Sequence, residues 1–380
     1  MRTMLFCHTS YARNPLMALF AALSMLLFAS YAQASEHHST HPQKHMKRTS
    51  SKPTTGSTFG NTPEVHTLAD ALAKKYKLSK TWTRQQLSQA RRLAGVPKLV
   101  LPPPVTNPKN WQAYRERFIE DRRINAGAEF WRTYASDLAR AEATYGVPAE
   151  IIVGIIGVET FYGQNMGNYR VLDALTTLSL NFPAEHPRAA ERQAFFQDEL
   201  GHFLVQMHAQ AKGDKPITGS FAGAMGWPQF MPSSVAKFAV DFDGDGRIDL
   251  RNSPVDAIGS VANYFKAFGW QTGMPTHYPV SFDESRLDKT TLLAPDILPS
   301  FSVNNFTAKG AVLDEQAQKH KGQLALIELF NGDDSPSYVA GTDNFYVITR
   351  YNWSSYYAMA VIELGQAVKT RLTQSQASAR

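Results

Sequence analysis

The chain has 380 residues, 43% of them hydrophobic, enough to bury a large core and to fold as two or three domains of ordinary size. The formal net charge is +6 and falls to about +4 if the N-terminal segment with its two arginines is removed; that excess is too mild and dispersed for nucleic-acid binding, and suits loose attraction to an anionic polymer. Cys7 is the single cysteine, so a disulfide framework is excluded, as is thiol chemistry once the N-terminal segment is removed.

Arg2 and Arg13 precede the apolar run Leu16 to Ala29, and Ala32-Gln33-Ala34 follow it. A run of about 14 apolar residues is too short to span a bilayer, so residues 1–34 are expected to be a secretory signal peptide. An uncleaved N-terminal anchor is the alternative. Cys7 lies upstream of the run, where it cannot be the lipid-bearing cysteine of a lipoprotein, and no membrane span is expected in the mature chain. Residues 35–62 are polar and rich in Ser, Thr, Lys and His, the composition of a flexible tether. The cluster His37, His38, His41 and His45 reads as solvated tail rather than a metal site.

From Val65 to Leu93 the apolar spacing is helical, and "VPKLVLPPPVTNP" then breaks it, because proline cannot continue a helix. Helical periodicity dominates from Trp111 to Phe268. Ala128 to Tyr145 puts Phe130, Trp131, Tyr134, Leu138 and Ala141 on one predicted helix face, and Gly146-Val147-Pro148 ends that helix and begins the next. Between about Thr276 and Arg350 the runs "LALIELF" and "NFYVITRY" are β-prone and mark a small β-rich insert. "SSYYAMAVIELGQAVKTRL" closes the chain as an amphipathic helix.

In "IIVGIIGVETFYG", residues 151–163, one carboxylate ends an apolar helix. Glu159 follows Ile156 and Ile155 by three and four residues and Ile152 by seven, so all four share a face. Gly154 and Gly157 each cost a helix interior roughly 1 kcal/mol relative to alanine, which close approach of another backbone would explain. A carboxyl at an apolar cleft floor has raised proton affinity and can donate a proton near neutral pH. A buried glutamate satisfied by an arginine or by backbone donors is the other reading.

"GSFAGAMGWPQFMPSS", residues 219–234, combines three glycines and two prolines in a rigid irregular loop. Phe221, Trp227, Phe230 and Met231 offer flat apolar surface for sugar rings, and Ser220 and Gln229 are expected hydrogen-bond donors; an ordinary turn with buried aromatics is the alternative. "DFDGDGRIDLRN", residues 241–252, has Asp241, Asp243 and Asp245 at loop positions 1, 3 and 5, Gly246 at 6, the Arg247 carbonyl at 7 and Asp249 at 9, the pattern of an EF-hand calcium loop. Asn252 stands at position 12 in place of the bidentate glutamate. Asp256 closes the site if the loop is longer than usual, or completes a capping box with Ser253. One loop without a pair reads as a single structural Ca2+ site, and an empty acidic loop is the alternative.

Together and in order, "GVETFYG", "GSFAGAMGWPQFMPSS", "DFDGDGRIDL", "PVDAIGSVANYFKAFGW" and "YVITRYNWSSYYAMAV" resemble the lytic murein transglycosylase B family, periplasmic enzymes that cleave peptidoglycan. The resemblance runs from about residue 64 to 370. It implies a mainly α (α+β) fold: residues 63–125 as the N-terminal part of a helical domain built from both chain ends, 126–275 as a lysozyme-like catalytic core with the calcium loop, 276–345 as a small β domain, and 346–380 as a strand and helix completing cleft and helical domain. It implies Glu159 as the single catalytic acid. Ser220, Gln229, Phe230, Met231, Tyr264, Tyr351, Asn352 and Tyr357 match glycan-contacting cleft positions, and Glu191, Arg192 and Phe195 a sugar-binding rim. Asp241, Asp243, Asp245, Arg247 and Asp256 match calcium ligands.

Water-using glycosidases usually need a second carboxylate, and neither motif supplies one. The family resemblance implies that the C6 hydroxyl of the substrate attacks instead. Glu159 protonates the oxygen between N-acetylmuramic acid and N-acetylglucosamine, then takes the C6 proton as a 1,6-anhydro ring closes. The expected protein is a soluble periplasmic monomer with glycan strands as its partner, other cell-wall enzymes left open, and no organic cofactor. A calcium-stabilised peptidoglycan-binding protein without activity and a hydrolytic muramidase are the alternatives.

Overall fold

The computed structural model describes residues 56–102, 108–209 and 215–378. The expected signal peptide, Cys7 and the four tether histidines lie outside the described residues. The end of the expected tether is docked: Phe59 is buried beneath the Arg92 guanidinium, and its backbone N–H donates to the Ala90 carbonyl. Phe59 is the apolar residue that gives this segment something to bury.

Helices α1 (Pro63–Tyr76) and α2 (Lys80–Gln89) begin at hydroxyl caps, Thr62 accepting from the Val65 N–H and Ser79 from the Trp82 N–H. Ala90 and Leu93 lie beyond α2, beside a bridge between Thr58 and Arg91. After the short α3 (Trp111–Glu116), the helix predicted over 128–145 is two: α4 (Asp121–Thr133) and α5 (Ala135–Tyr145), broken at Tyr134. The break lets each half follow its own partner, α4 the C-terminal helix and α5 the helix Pro254–Ala267.

Then come α6 (Ala149–Thr160), the strand pair β1 (Tyr169–Arg170) and β2 (Thr218–Gly219), α7 (Val171–Leu180), α8 (Ala189–Ala209), α9 (Pro232–Phe238) and α10 (Pro254–Ala267). Four antiparallel strands follow, β3 (His277–Phe282), β4 (Ala311–Leu313), β5 (Ala325–Asn331) and β6 (Asp334–Gly341), in the order β4-β3-β6-β5. "LALIELF" is strand as expected. "NFYVITRY" is not: it forms α11 (Asp343–Thr349), because Thr342 caps the Asn344 N–H and Phe345, Val347 and Ile348 are all buried by one helical turn pair. The expected C-terminal strand is therefore helix, followed by α12 (Ser355–Ser378).

Two cores divide the helical part. One is built around α6 and α12, whose backbones meet where Gly154 faces the Val361 carbonyl and Gly365 faces the Glu150 carbonyl. Gly157 is held small by side chains instead, the Tyr162 phenol and Leu364. The other core joins α1 and α2 to α7, α8 and residues 221–231. Residues 59–100 belong to the second core and the C-terminal residues 345–372 to the first. A third, smaller core lies under the sheet, around Tyr278, Phe306, Leu326 and Ala340. Among the described residues no single helix is long and apolar enough to cross a membrane, although the bent pair α5 and α6 reaches that length together.

Candidate active site

Helix α6 is buried along its whole central length, and Glu159 in its last turn is half-buried while Ile152, Ile155 and Ile156 are fully enclosed. The residue is thus mostly enclosed but keeps some contact with solvent. The Tyr357 hydroxyl donates to Glu159 Oε1 at 2.5 Å. Burial pushes the carboxyl up to about 8, the Tyr357 bond holding it back only in part. Among the described residues no cation forms an ion pair with it, so the reading of a structural glutamate neutralised by arginine is not met.

Four tyrosines from four places in the chain surround this carboxyl. Tyr114 on α3, Tyr264 on α10, Tyr351 and Tyr357 are each raised by burial first and by the Glu159 charge as well. Tyr264 donates to the Arg350 carbonyl at 2.6 Å, Tyr351 donates to the Pro228 carbonyl, and the Tyr351 and Tyr357 rings stack at 6.4 Å and 14°. Tyr114 escaped the sequence reading. In "WQAYRERF" it lies at helical spacing from Phe118 and reads as core; only tertiary packing turns it toward Glu159. Asn352 is 1% exposed, and its side-chain oxygen finds no hydrogen-bond partner among the described residues.

The loop 219–234 packs along the same wall. Ser220 Oγ accepts from the Ala222 and Ala224 N–H groups at 3.3 and 3.0 Å, and Met225 and Phe230 exchange two backbone bonds. Two expectations need correction. Phe221, Phe230 and Met231 are 7%, 2% and 9% exposed, so they build the wall instead of presenting flat surface. Phe230 sits against Tyr264 and Tyr351, and Trp227 is the loop aromatic left half-buried. Gln229, held at φ 49°, gives its side-chain N–H groups to the Gly226 and Met166 carbonyls at 2.8 and 3.3 Å, which makes its oxygen the group presented.

The predicted rim at residues 191–195 is also mostly interior. Arg192 is 4% and Phe195 8% exposed, with the guanidinium over the Phe195 and Phe196 rings, and Phe195 belongs to the second core with Phe221 and Met231. Glu191 pairs with Arg188 on the surface. The apolar spacing of Phe195, Phe196 and Leu200 along α8 explains the inward turn.

In the acidic loop, carboxylate oxygens of Asp241, Asp243 and Asp256 lie within 4.8 Å of one another. Gly244 and Gly246, at φ 79° and 89°, give their N–H groups to Asp241 and let the chain curl. Asp256 is fully buried at the start of α10. Ser253 caps its N–H at 3.1 Å, half of a capping box, but the Asp256 carboxylate turns into the loop and accepts from Phe242, Asp243 and Asp249 N–H groups. The Ser253 half of the capping box is therefore present, while the Ser253 N–H goes to the Asp249 carbonyl and not back to Asp256. Asp245 accepts from the Arg247 N–H, and Asp249 is committed to Arg251 and Asn252, which leaves both outside the carboxylate cluster.

Comparison with known proteins agrees with this geometry. A family profile described as Transglycosylase SLT domain matches residues 60–366. The membrane-bound lytic murein transglycosylase B of Escherichia coli (strain K12) is 41% identical over 329 residues, 82% of this chain and 84% of its own length. The soluble lytic transglycosylase SltB1 of Pseudomonas aeruginosa has a similar structure, with TM-score 0.71 at 41% identity over 81% of this chain and 99% of that one. The Escherichia coli lytic transglycosylase Slt35, solved in complex with calcium and with bulgecin A, gives TM-score 0.70 at 41% identity over 84% and 96%. A profile spanning most of the chain and relatives this close establish that the chain belongs to the transglycosylase SLT domain family.

Proposed function

We propose that this chain is a peptidoglycan lytic transglycosylase that breaks the β-1,4 bond between N-acetylmuramic acid and N-acetylglucosamine without water, leaving a 1,6-anhydro end. The observation that carries the reading is Glu159 itself, a half-buried carboxyl pushed up to about 8 at the end of an apolar helix and held by a tyrosine hydroxyl. Near neutral pH it is protonated and gives its proton to the glycosidic oxygen. The bond to the Tyr357 hydroxyl then stabilises the carboxylate left behind, which takes the proton of the C6 hydroxyl as the anhydro ring closes. Among the groups that perturb Glu159 there is no second carboxylate, as a two-acid hydrolase would need. Ser220, the Gln229 oxygen, Asn352 and the tyrosine wall are proposed to hold the glycan strand, with Arg192 and Phe195 shaping the wall from behind.

Asp241, Asp243 and Asp256 are proposed to hold one calcium ion with the Arg247 carbonyl, in a lysozyme-like core bounded by the sheet at 276–345. Three carboxylates this close repel one another unless a cation neutralises them, and Slt35 was solved with calcium. The ion's contribution is that neutralisation, so the role is structural. Export to the periplasm, where peptidoglycan lies, follows from the substrate and the N-terminal sequence.

Mass spectrometry of purified sacculi after digestion tests the activity. Anhydro-muramic ends are expected from the wild type and no release from Glu159→Gln. Reducing muramic ends would instead make the protein a hydrolase, and an active Glu159→Gln would remove Glu159 from the mechanism.

A further inference from the structure

Glu159 is followed by a backbone that side chains rarely tolerate. Phe161, Tyr162 and Gly163 all have positive φ, 51°, 53° and 80°, and two of the three carry a Cβ that crowds the left-handed conformation. Such a turn persists only when its surroundings force it. From one side Thr160 does so, its hydroxyl donating to the Trp227 carbonyl at 2.9 Å and accepting from the Gly163 N–H at 3.1 Å. From the other side come two cations on α4: exposed Arg122, whose guanidinium lies 5.0 Å from the Phe161 ring centroid, and Arg123, which alone of the two also bonds the helix end.

We infer that Arg123 is a positioning residue for the general acid, clamping the left-handed turn through which the end of α6 aims Glu159. Its Nη1 donates at 2.7 Å to the Gly157 carbonyl, two residues before Glu159, and that same carbonyl receives the Phe161 N–H at 3.1 Å. The guanidinium lies 4.6 Å from the Phe161 ring centroid and 5.3 Å from that of Phe118, with Nη2 at 3.5 Å from the Arg117 carbonyl. One planar group thus ties together the last turn of the catalytic helix, the turn after it, and the end of α3, which carries Tyr114 to Glu159. A cation at this end also complements the helix dipole.

The arrangement is not that of an ordinary ion pair. Glu120 stands 4.0 Å from Arg123 Nε, but its carboxylate caps α4, accepting from the Arg122 and Arg123 N–H groups at 2.9 Å. Arg123 Nε is buried with no hydrogen-bond partner among the described residues. A side chain kept for charge pairing would satisfy that nitrogen; here the fork is turned toward the helix end and the Phe161 ring instead. Lysine, with one point donor and no flat face, reproduces only the bond to Gly157.

The inference rests on the activity proposed above, so Glu159→Gln serves as the reference in its test. Full-length wild type, Arg123→Ala and Arg123→Lys are compared by kcat and KM on soluble glycan strands, by pH profile and by Tm. Arg123→Ala is expected to lose about 30-fold or more in kcat with KM little changed, as befits a misaimed acid. The pH at which its activity declines should move, added guanidinium ion should restore part of the rate, and Arg123→Lys should be intermediate. A role in stability alone would lower Tm and leave the pH profile of the remaining activity in place; that outcome, or a fully active Arg123→Lys with the wild-type profile, overturns the inference. Should Arg123→Ala not fold, the lysine variant decides alone. If Glu159→Gln is inactive while the Arg123 variants behave as wild type, the positioning role fails and the activity stands; if Glu159→Gln is active, the activity itself fails.

Discussion

Tyr357 and Glu159 form one unit in which each group changes the other's chemistry. The hydroxyl donates to the carboxylate, which favours the charged form and lowers a pKa that burial alone would set higher. Tyr357→Phe removes the donor and leaves the ring. Because a hydrogen bond to a charged group is worth roughly 1.5–3 kcal/mol, the Glu159 pKa should rise by about one unit or more above its present position near 8. Activity depends on the protonated acid at the first step, so the alkaline limb of kcat/KM moves to higher pH, while proton donation at that step slows because Glu159 has become the weaker acid and its carboxylate the stronger base for the second. A pH–rate profile reads both effects; a limb that moves down in pH would mean that Tyr357 stabilises the neutral acid instead. At this scale the acid was legible from the sequence, since its register with three isoleucines is local. Its surroundings were not. Tyr114, Tyr264, Tyr351 and Tyr357 reach it from separate elements, and the inward turn of the Gln229 side-chain amide depends on a positive φ that composition does not announce.

Among the elements, the crossing of α6 and α12 ties stability to activity. Gly154 faces the Val361 carbonyl with no room for a methyl group, and α12 also carries Tyr357. Gly154→Ala gains about 1 kcal/mol of helix propensity but forces the two backbones apart, an overpacking cost of about 1–3 kcal/mol. A net fall in Tm is expected, together with lower kcat as Tyr357 retreats from Glu159; a more stable and fully active variant would show that the helices separate freely. The acidic loop gives a second test, because its carboxylates have different work. Asp241→Ala should lower Tm more in calcium than in chelator, since an ion bound only by the native state stabilises it by mass action. Asp256→Ala should lower Tm in both buffers, because three backbone N–H groups lose their acceptor whether or not calcium is present. Equal behaviour of the two variants in both buffers would remove the ion from the account. The loop was readable because its aspartate and glycine spacing is local. The turn of the Asp256 carboxylate onto three backbone N–H groups was not, and α11 was misread as strand because its β-branched residues speak for strand while a threonine cap and the burial of Phe345, Val347 and Ile348 decide for helix.

For the whole molecule, burial of carboxyl groups on both sides of the divide between the helical cores sets a dependence on pH. Glu159 belongs to the first core and is pushed up to about 8; Glu199 on α8 belongs to the second, is 1% exposed, and is pushed up to about 7 by burial despite accepting from the Ser233 N–H and hydroxyl at 2.9 and 2.7 Å. That two chain ends would supply two cores could not be read from periodicity, which marks faces but not their partners. The consequence is thermodynamic. Between the ordinary glutamate range and pH 7 to 8 the native state holds protons that the unfolded chain has released, so stability is full below about pH 4.5 and falls as pH rises, by about 1.4 kcal/mol per unit for each group while the difference lasts. Carboxylates held below their ordinary range, such as Asp70 beside Arg84 and Asp198 beside Lys75 and Tyr76, act in a more acid window and do not offset this. His186, His202 and His277, held below their ordinary range by burial, act the other way and add stability as pH rises toward about 6.5. The protein should therefore lose stability between about pH 6.5 and 8, where the histidines no longer offset the two glutamates. Glu159→Gln should recover about 3 kcal/mol at pH 7 and very little at pH 4.5, because glutamine keeps the acceptor for Tyr357 without the cost of holding a proton. Glu199→Gln should recover a similar share, its amide exchanging donor and acceptor with Ser233, and the double variant should lose most of the fall above about pH 6.5. Thermal unfolding of the four proteins from pH 4.5 to 8.5 measures this directly. A wild type that gains stability from about pH 6.5 to 8 would mean that both carboxyls are charged in the folded protein, and the general-acid assignment would lose its electrostatic basis.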